Sequence, residues 1–97
     1  MSEVTVTHDP AESRYEASLG GEVAGILAYV TSGTTINLTH TEVDPSFEGK
    51  GVGGALVRGT LEQLREDNLR IIPTCPFVQA YLERHPEYQD LVDPDHT

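Results

Sequence analysis

The 97-residue chain is poor in cations, contains no tryptophan and has a single cysteine. Six Lys and Arg residues stand against 16 Asp and Glu, which gives a formal net charge of −10 at pH 7. This excess repels nucleic acid and anionic membrane surfaces, so we expect neither as a partner. Cys75 alone cannot form an internal disulfide, and the four histidines show no Cys/His grouping at zinc spacing. The sequence therefore predicts no metal site.

The sequence also lacks the cationic head and apolar run of a signal peptide, and no stretch is apolar enough for a membrane span. We therefore expect a cytoplasmic protein. The length fits one domain over residues 1–97, with a polar tail at 92–97. The acidic excess has two interpretations, which are adaptation to a salt-rich, halophilic cytoplasm or high solubility alone.

Alternating apolar residues predict four strands, near residues 4–7, 15–19, 22–30 and 35–43. The third strand is apolar at odd and even positions, which predicts a central strand that is covered on both faces. In the fourth strand, Leu38 and Val43 have opposite parity. Either a β-bulge near residues 40–42 restores Val43 to the core side, or the strand ends at Thr39.

The second half of the chain predicts two helices around one more strand. Apolar spacing over residues 52–64 indicates a helix that ends near Asp67, before Asn68. Residues 69–73 indicate a fifth strand, parallel to the fourth because a helix joins the two. A second helix begins at Pro76, capped by Thr74 or Cys75, and ends before a His-Pro pair. The predicted fold class is a mixed α/β sheet of four mostly antiparallel strands, then a helix, a parallel strand and a C-terminal helix.

A glycine-rich segment, EGKGVGG at residues 48–54, joins the fourth strand to the first helix. Free backbone N–H groups at a helix N-terminus suit a phosphate group, although the same glycines could serve only a close-packed turn. The nucleotide-triphosphate loop does not match, since Gly51 follows Lys50 where Ser or Thr is required. The dinucleotide fingerprint does not match either, because several strands precede the segment.

This segment, following HTEV at residues 40–43 and preceding CPFV at 75–78 and HPEY at 85–88, resembles the coenzyme A loop of GNAT-superfamily N-acetyltransferases. The family pattern [Arg/Gln]-x-x-Gly-x-[Gly/Ala] falls on residues 48–53, and the later motifs are similar to a subgroup of very small stand-alone members with a Cys-Pro-Phe motif. Glu48 departs from the pattern, and we expect its side chain to point away from bound phosphates.

The resemblance implies that the fourth and fifth strands splay apart to admit acetyl-CoA as acyl donor. It also implies transfer of the acetyl group to an amine, either a small molecule or a lysine side chain. Backbone groups after the bulge would hold the pantetheine and polarise the thioester carbonyl, while loop N–H groups take the pyrophosphate. The implied cofactor-binding residues are Glu42, Val43, Gly49, Lys50, Gly51, Val52, Gly53 and Gly54.

Three side chains are candidates for catalysis. Cys75, at the start of a helix, could be a nucleophile, an acid that protonates the leaving thiolate, or a small core residue, and the resemblance favours a functional role. His40 could accept the proton of the attacking amine or be a surface histidine. Tyr81 matches the family position of a leaving-group acid, although it also lies on the apolar stripe of its helix.

The alternative function is a non-catalytic CoA-binding or protein-interaction module on the same fold, which Glu48 and the short chain support. The carboxylate excess favours a cationic acceptor such as a polyamine or a lysine-rich peptide. Lys50, the only lysine, and Arg58 are the first cations expected to contact the cofactor's phosphates. We expect a monomer or a weak homodimer.

Overall fold

The computed structural model describes residues 4–94, in which a five-stranded sheet packs against two helices. Its order is β1-β2-β3-β4-β5, antiparallel except for the parallel β4–β5 pair. This confirms the predicted fold class. The strands are β1 (Val4–Asp9), β2 (Arg14–Leu19), β3 (Glu22–Ser32), β4 (Thr35–Val43) and β5 (Arg70–Pro73), and the helices are α1 (Val52–Glu66) and α2 (Pro76–Arg84), with 3-10 turns at Pro45–Phe47 and Pro86–Leu91.

The core lies between one face of the sheet and the apolar stripe of α1. Leu56, Val57 and Leu61 are fully buried there, and α1 contacts β1, β2 and β3. α1 ends as predicted, because Asn68 adopts a left-handed φ of 58°. Its N–H and that of Leu69 then donate to two carbonyls of the last turn, which closes the helix. No helix within residues 4–94 is long and apolar enough to cross a membrane.

The opposite face of the sheet is open, so the prediction that β3 is covered on both faces is wrong. Leu27 and Tyr29 of β3 are buried, whereas Ile26 and Ala28 are half-buried and Val30 is 57% exposed. Both helices follow β4 in the chain. Within residues 4–94, the buried residues of both helices belong to the same core cluster as Leu27 and Tyr29, so both helices pack on the same face of the sheet. The central position of β3 is as predicted, but only one helical layer covers the sheet.

The bulge that the sequence predicts in β4 is present, one residue earlier than predicted. Ala28 is opposite His40 and Tyr29 is opposite Leu38, so Thr39 is the extra residue. The strand does not end at Thr39, since β4 continues to Val43. The bulge returns Val43 to the helix side of the sheet, where it packs against the core.

β4 and β5 separate beyond the bulge. Their pairing stops at Leu38 and Pro73, and the N–H of Cys75 donates to the Leu38 carbonyl at 2.9 Å as the chain turns into α2. β4 runs on to Val43 without β5 beside it. On its far side, β5 forms a bridge from Ile71 to Val92, and residues 95–97 of the predicted polar tail lie outside the described residues.

Candidate active site

A cleft of about 450 Å³ lies beside the separated part of β4, at the start of α1. It therefore joins the place where the sheet opens to the glycine-rich loop. The strand, the loop, α1 and α2 all contribute to its walls. The lining residues are Thr41, Val43, Phe47, Glu48, Gly49, Gly51, Val52, Gly53, Gly54 and Phe77.

The N-terminus of α1 has no side-chain cap. Its N-cap residue is Gly51, which has a left-handed φ of 75° and no side chain that could accept a hydrogen bond from the first turn. The N–H groups of the first turn, at Val52, Gly53 and Gly54, have no intrahelical acceptor. All three residues line the cleft, so these N–H groups and the positive end of the helix dipole suit an anion there.

Glycine keeps this part of the cleft open. A Cβ added at Gly51 or Gly54 would have no protein atom within 4 Å, so it would project into free space at the cleft. At Gly53 the added Cβ would lie 2.6 Å from Cζ of Phe77, because the Phe77 ring packs directly on that glycine. The loop therefore lets phosphate oxygens reach backbone N–H groups, and the residues present fit the diphosphate of CoA.

The backbone of β4 presents a free edge to the same cleft. The N–H of Asp44 donates to the carbonyl of Ala24 in β3 at 2.8 Å. Because peptide groups alternate along a strand, those of Val43 and Thr41 face the opposite edge, away from β3. The Glu42 carbonyl faces β3, where a Cβ on Gly25 would approach it to 2.9 Å. Of the two backbone contacts predicted after the bulge, the structure places Val43 at the cleft.

Cys75 is buried behind the Thr41 wall of the cleft and is not itself among the lining residues. It is the N-cap residue of α2, is 4% exposed, and its side chain makes no capping hydrogen bond. Its Sγ is instead 3.3 Å from Oγ1 of Thr41, a residue of the cleft wall. The sequence did not single out Thr41, although Thr41 shares the parity of Val43 and so belongs to the same face of β4.

His40 and Glu42 lie on the other face of the sheet. Their side chains are 60% and 67% exposed, and Nε2 of His40 is 3.1 Å from a carboxylate oxygen of Glu42. Both belong to β4, whose successive side chains alternate between faces, so they point away from Thr41 and Val43. The structure thus does not bring the His40 side chain together with Cys75.

Tyr81 also lies outside the cleft, in a groove between α1 and α2. Its ring stacks on that of His85 at 4.2 Å. Burial raises the pKa of Tyr81, and the nearby Arg58 guanidinium acts in the opposite direction.

Both charged residues of the loop, Glu48 and Lys50, are exposed, and of the two only Glu48 lines the cleft. The N–H of Lys50 donates to the Phe47 carbonyl at 3.3 Å, which leaves its side chain as the group available to a ligand. Glu48 is exposed, yet it lines the rim of the cleft. No group of three or more His, Cys, Asp or Glu residues between residues 4 and 94 is arranged to hold a metal ion.

Comparisons with known proteins agree with this geometry. The family model of GCN5-related N-acetyl-transferases matches residues 14–91. Protein NATD1 of Xenopus tropicalis is 28% identical over an alignment of 97 positions that covers 96% of this chain and 89% of that protein. Protein NATD1 of Homo sapiens is 28% identical over 95 residues, with 94% of this chain and 84% of that protein covered.

Two solved structures share the fold. The solution structure of a GCN5-like protein from Staphylococcus aureus has a TM-score of 0.68 and 29% identity, covering 99% of this chain and 97% of that one. The ribosomal-protein-S18-alanine N-acetyltransferase of Escherichia coli has a TM-score of 0.58 over 73% of this chain and 64% of its own. At 14% identity, the second likeness concerns the fold alone.

Proposed function

Because the chain belongs to the GCN5-related N-acetyltransferase family, we propose that it transfers an acetyl group from acetyl-CoA to the amine of a small molecule or a lysine side chain. One observation carries the proposal. The cleft extends from the uncapped N-terminus of α1 to Thr41, whose hydroxyl contacts the thiol of Cys75. The anion-binding end of the cleft and the Thr41 wall, behind which the thiol is buried, are thus parts of one cavity.

Backbone groups would hold the donor. The N–H groups of Val52, Gly53 and Gly54 bind the diphosphate, and the side chain of Lys50 adds a positive charge. The free edge of β4 at Val43 and Thr41 binds the pantetheine amides and polarises the thioester carbonyl. When bound, acetyl-CoA supplies an acyl group that is already activated as a thioester.

Cys75 and His40 would move protons. In direct transfer, the Cys75 thiol gives its proton to the leaving thiolate, while Thr41 fixes the position of Sγ. In the covalent route, Sγ would displace the CoA sulfur from the acetyl carbon, the proton of the Cys75 thiol would leave with the CoA thiol, and attack by the amine on acetyl-Cys75 would restore the free thiol. An amine that arrives from the open face of the sheet meets His40, which accepts its proton and has Glu42 beside it as a counter-charge.

The first experiment is calorimetry with acetyl-CoA, followed by an assay of thiol release with polyamines and lysine peptides.

The variant that tests the phosphate site is Gly54→Asp, with Gly54→Asn as its uncharged control. A carboxylate in the first turn stabilises a helix, so Gly54→Asp remains folded while it repels the diphosphate. We expect it to lose at least about tenfold in acetyl-CoA affinity relative to Gly54→Asn. Equal affinities would contradict a phosphate site at this N-terminus.

The second candidate is a non-catalytic CoA-binding module. The observation that favours it is Glu48, a carboxylate at the rim of the cleft where the family pattern has Arg or Gln. The same assay separates the two functions. Binding without acetyl transfer to any amine supports the module, transfer supports the enzyme, and failure of acetyl-CoA to bind contradicts both.

A further inference from the structure

The open face of the sheet carries an apolar stripe along β3. Its members, in chain order, are Val23, Ile26, Ala28 and Val30. The two end members, Val23 and Val30, are 50% and 57% exposed, and Phe77 is the only other large apolar side chain exposed within residues 4–94. Both helices pack on the other face, so no element between residues 4 and 94 covers the stripe. A contiguous exposed apolar stripe is typical of a contact surface.

A bulge keeps all four members of the stripe on one face. Val23 is opposite Ser18 and Ile26 is opposite Glu16, so a step of two residues in β2 matches a step of three in β3. Ser18 and Glu16 share a face, because side chains alternate along β2. Val23 therefore lies on the same face as Ile26 despite their opposite parity, and the four members are evenly spaced along the sheet.

Charged side chains flank the stripe in two neighbouring rows. Arg14 of β2 and His40 of β4 are both opposite the third member of the stripe and form the basic row. Glu16 of β2 and Glu42 of β4 are both opposite the second member and form the acidic row. Within β2 and within β4, the nearest nitrogen and oxygen of the two rows are 2.9 Å and 3.1 Å apart. The midpoint of the stripe therefore separates a basic row from an acidic row.

Two copies of this face are complementary about a two-fold axis. The axis lies in the plane of the interface, parallel to the rows and midway between them. Rotation about it exchanges the rows, so the basic row of each copy lies over the acidic row of the other. It also lays the exposed Val30 over Val23 of the second copy, and Ala28 over Ile26. The strands of the two sheets are then antiparallel and aligned, as in sheets that pack face to face.

The ends of the rows on β1 match as well. Asp9 continues the basic row and Thr7 continues the acidic row. The carboxylate of Asp9 thus meets the hydroxyl of Thr7 in the second copy instead of another carboxylate. We propose that the open face joins two copies of this chain in a symmetric dimer.

The size and charge of the face set the strength of this dimer. Four strands about 4.8 Å apart and about six residues long make a face of roughly 15 × 20 Å. This is small for a stable interface, so the dimer forms at roughly 10–100 µM. Repulsion between two chains of net charge −10 acts against association and is weakened by salt. The dimer covers His40, so an amine could reach His40 from the open face only in the monomer.

Sedimentation velocity without acetyl-CoA tests the dimer, in about 0.3 M KCl to screen the long-range repulsion. The unaltered chain changes from monomer to dimer between about 1 µM and about 1 mM. Ala28→Glu, which places a carboxylate at the centre of the face, remains monomeric over this range with an unchanged circular dichroism spectrum. Ala80→Glu is the matched control, because it adds the same charge at an exposed position of α2, on the other side of the sheet. It dimerises like the unaltered chain.

An exchange of charges tests the two-fold arrangement without changing the composition. The double variant Arg14→Glu and Glu16→Arg keeps an ion pair within β2 but exchanges the two rows there. It dimerises with itself, because each row still meets its opposite. A fluorescently labelled sample of it does not pair with the unaltered chain, because like charges then meet at both positions.

Four results would overturn the inference. A chain that stays monomeric to about 1 mM contradicts the dimer and leaves the face to a different partner. Dimerisation of Ala28→Glu places the contact elsewhere, and loss of the dimer in Ala80→Glu as well shows that added charge alone prevents association. Free pairing between the double variant and the unaltered chain contradicts the two-fold arrangement. Because no acetyl-CoA is present, these outcomes leave the proposed function untouched, and failure of acetyl-CoA to bind leaves the dimer untouched.

Discussion

The side chain on which the chemistry most depends is Cys75. It is buried behind the cleft wall, with its Sγ 3.3 Å from the hydroxyl of Thr41, which lines the cleft. If the thiol donates a proton or takes the acetyl group, Cys75→Ala lowers kcat by on the order of a hundredfold or more. The dissociation constant of acetyl-CoA stays the same, because backbone N–H groups hold the phosphates. Steady-state transfer and calorimetry measure the two quantities.

Thr41→Val is the control for this prediction, since it removes the hydroxyl next to Sγ and keeps the side-chain shape. We expect a smaller loss of kcat than in Cys75→Ala. Intact mass after mixing with acetyl-CoA separates the two chemical routes, because only the covalent route gives an acetyl adduct that Cys75→Ser abolishes. Undiminished turnover in Cys75→Ala would remove the thiol from either role.

Tyr15 gives a prediction for alkaline pH. The residue is 2% exposed and stacks on His8, and burial raises its pKa from 10 to about 12. Because the unfolded chain loses this proton first, the contribution to stability is complete below pH 10 and is lost as the pH rises from 10 through 12. The loss is on the order of 2 kcal/mol. Urea unfolding across this range measures it.

Tyr15→Phe supplies the control, since phenylalanine fills the same core position and cannot ionise. Its free energy of unfolding should fall less between pH 10 and 12 than that of the unaltered chain. Some decline remains, because burial also raises the pKa of Tyr29. Identical slopes in the two proteins would contradict the assignment to Tyr15.

Among the elements, α1 carries the most specific packing requirement. A Cβ on Gly59 would lie 2.8 Å from Cβ of Val6, so α1 approaches β1 too closely for a side chain there. Gly59→Ala should destabilise the fold by about 1–2 kcal/mol net, because the overlap outweighs the gain in helix propensity. Gly54→Ala makes the same change in the same helix with no atom within 4 Å, and should stabilise the fold by about 0.5–1 kcal/mol. Urea midpoints that move in the same direction would contradict this contrast.

The elements also separate what the sequence could predict from what it could not. The end of α1 at Asn68 and the start of α2 at Pro76 were predictable, because a left-handed residue and a fixed proline φ are local properties. The bulge was predictable from parity, but its position at Thr39 depends on the pairing with β3. The open face of β3 was not predictable, since apolar residues at both parities do not say how many helical layers the chain will form.

The same limit applies to the candidate site. The glycine-rich loop was located correctly at the start of α1 because glycines preceding a helix have a local signature. The faces of His40, Thr41 and Glu42 were not, because one extra residue in β4 decides which of these side chains faces the helices. Thr41 therefore belongs to the cleft, and His40 and Glu42 to the open face.

At the scale of the whole molecule, charge is distributed unevenly. The net charge is −10, yet two cations whose side chains make no hydrogen bond or ion pair within residues 4–94, Lys50 and Arg58, belong to the loop before α1 and to α1 itself. The carboxylates over the rest of the surface therefore repel one another, whereas the cations near the start of α1 attract an anion locally. Salt acts differently on the two, because it screens repulsion across the surface while it also weakens any attraction between these cations and an anion.

Stability should consequently rise with salt. Screening in molar KCl reduces the range of charge interactions to about 3 Å, so the repulsion among exposed carboxylates is largely removed. We expect the thermal unfolding midpoint to increase steadily from low to molar KCl.

Salt also strengthens apolar burial, so the decisive comparison is with a triple variant whose formal charge is −7 instead of −10. The three substitutions are Glu22→Gln, Glu66→Gln and Glu83→Gln. These three exposed carboxylates make no hydrogen bond or ion pair within residues 4–94. The variant should unfold at a higher temperature in low salt and gain less from KCl, and equal gains in both proteins would show that the acidic surface does not limit stability.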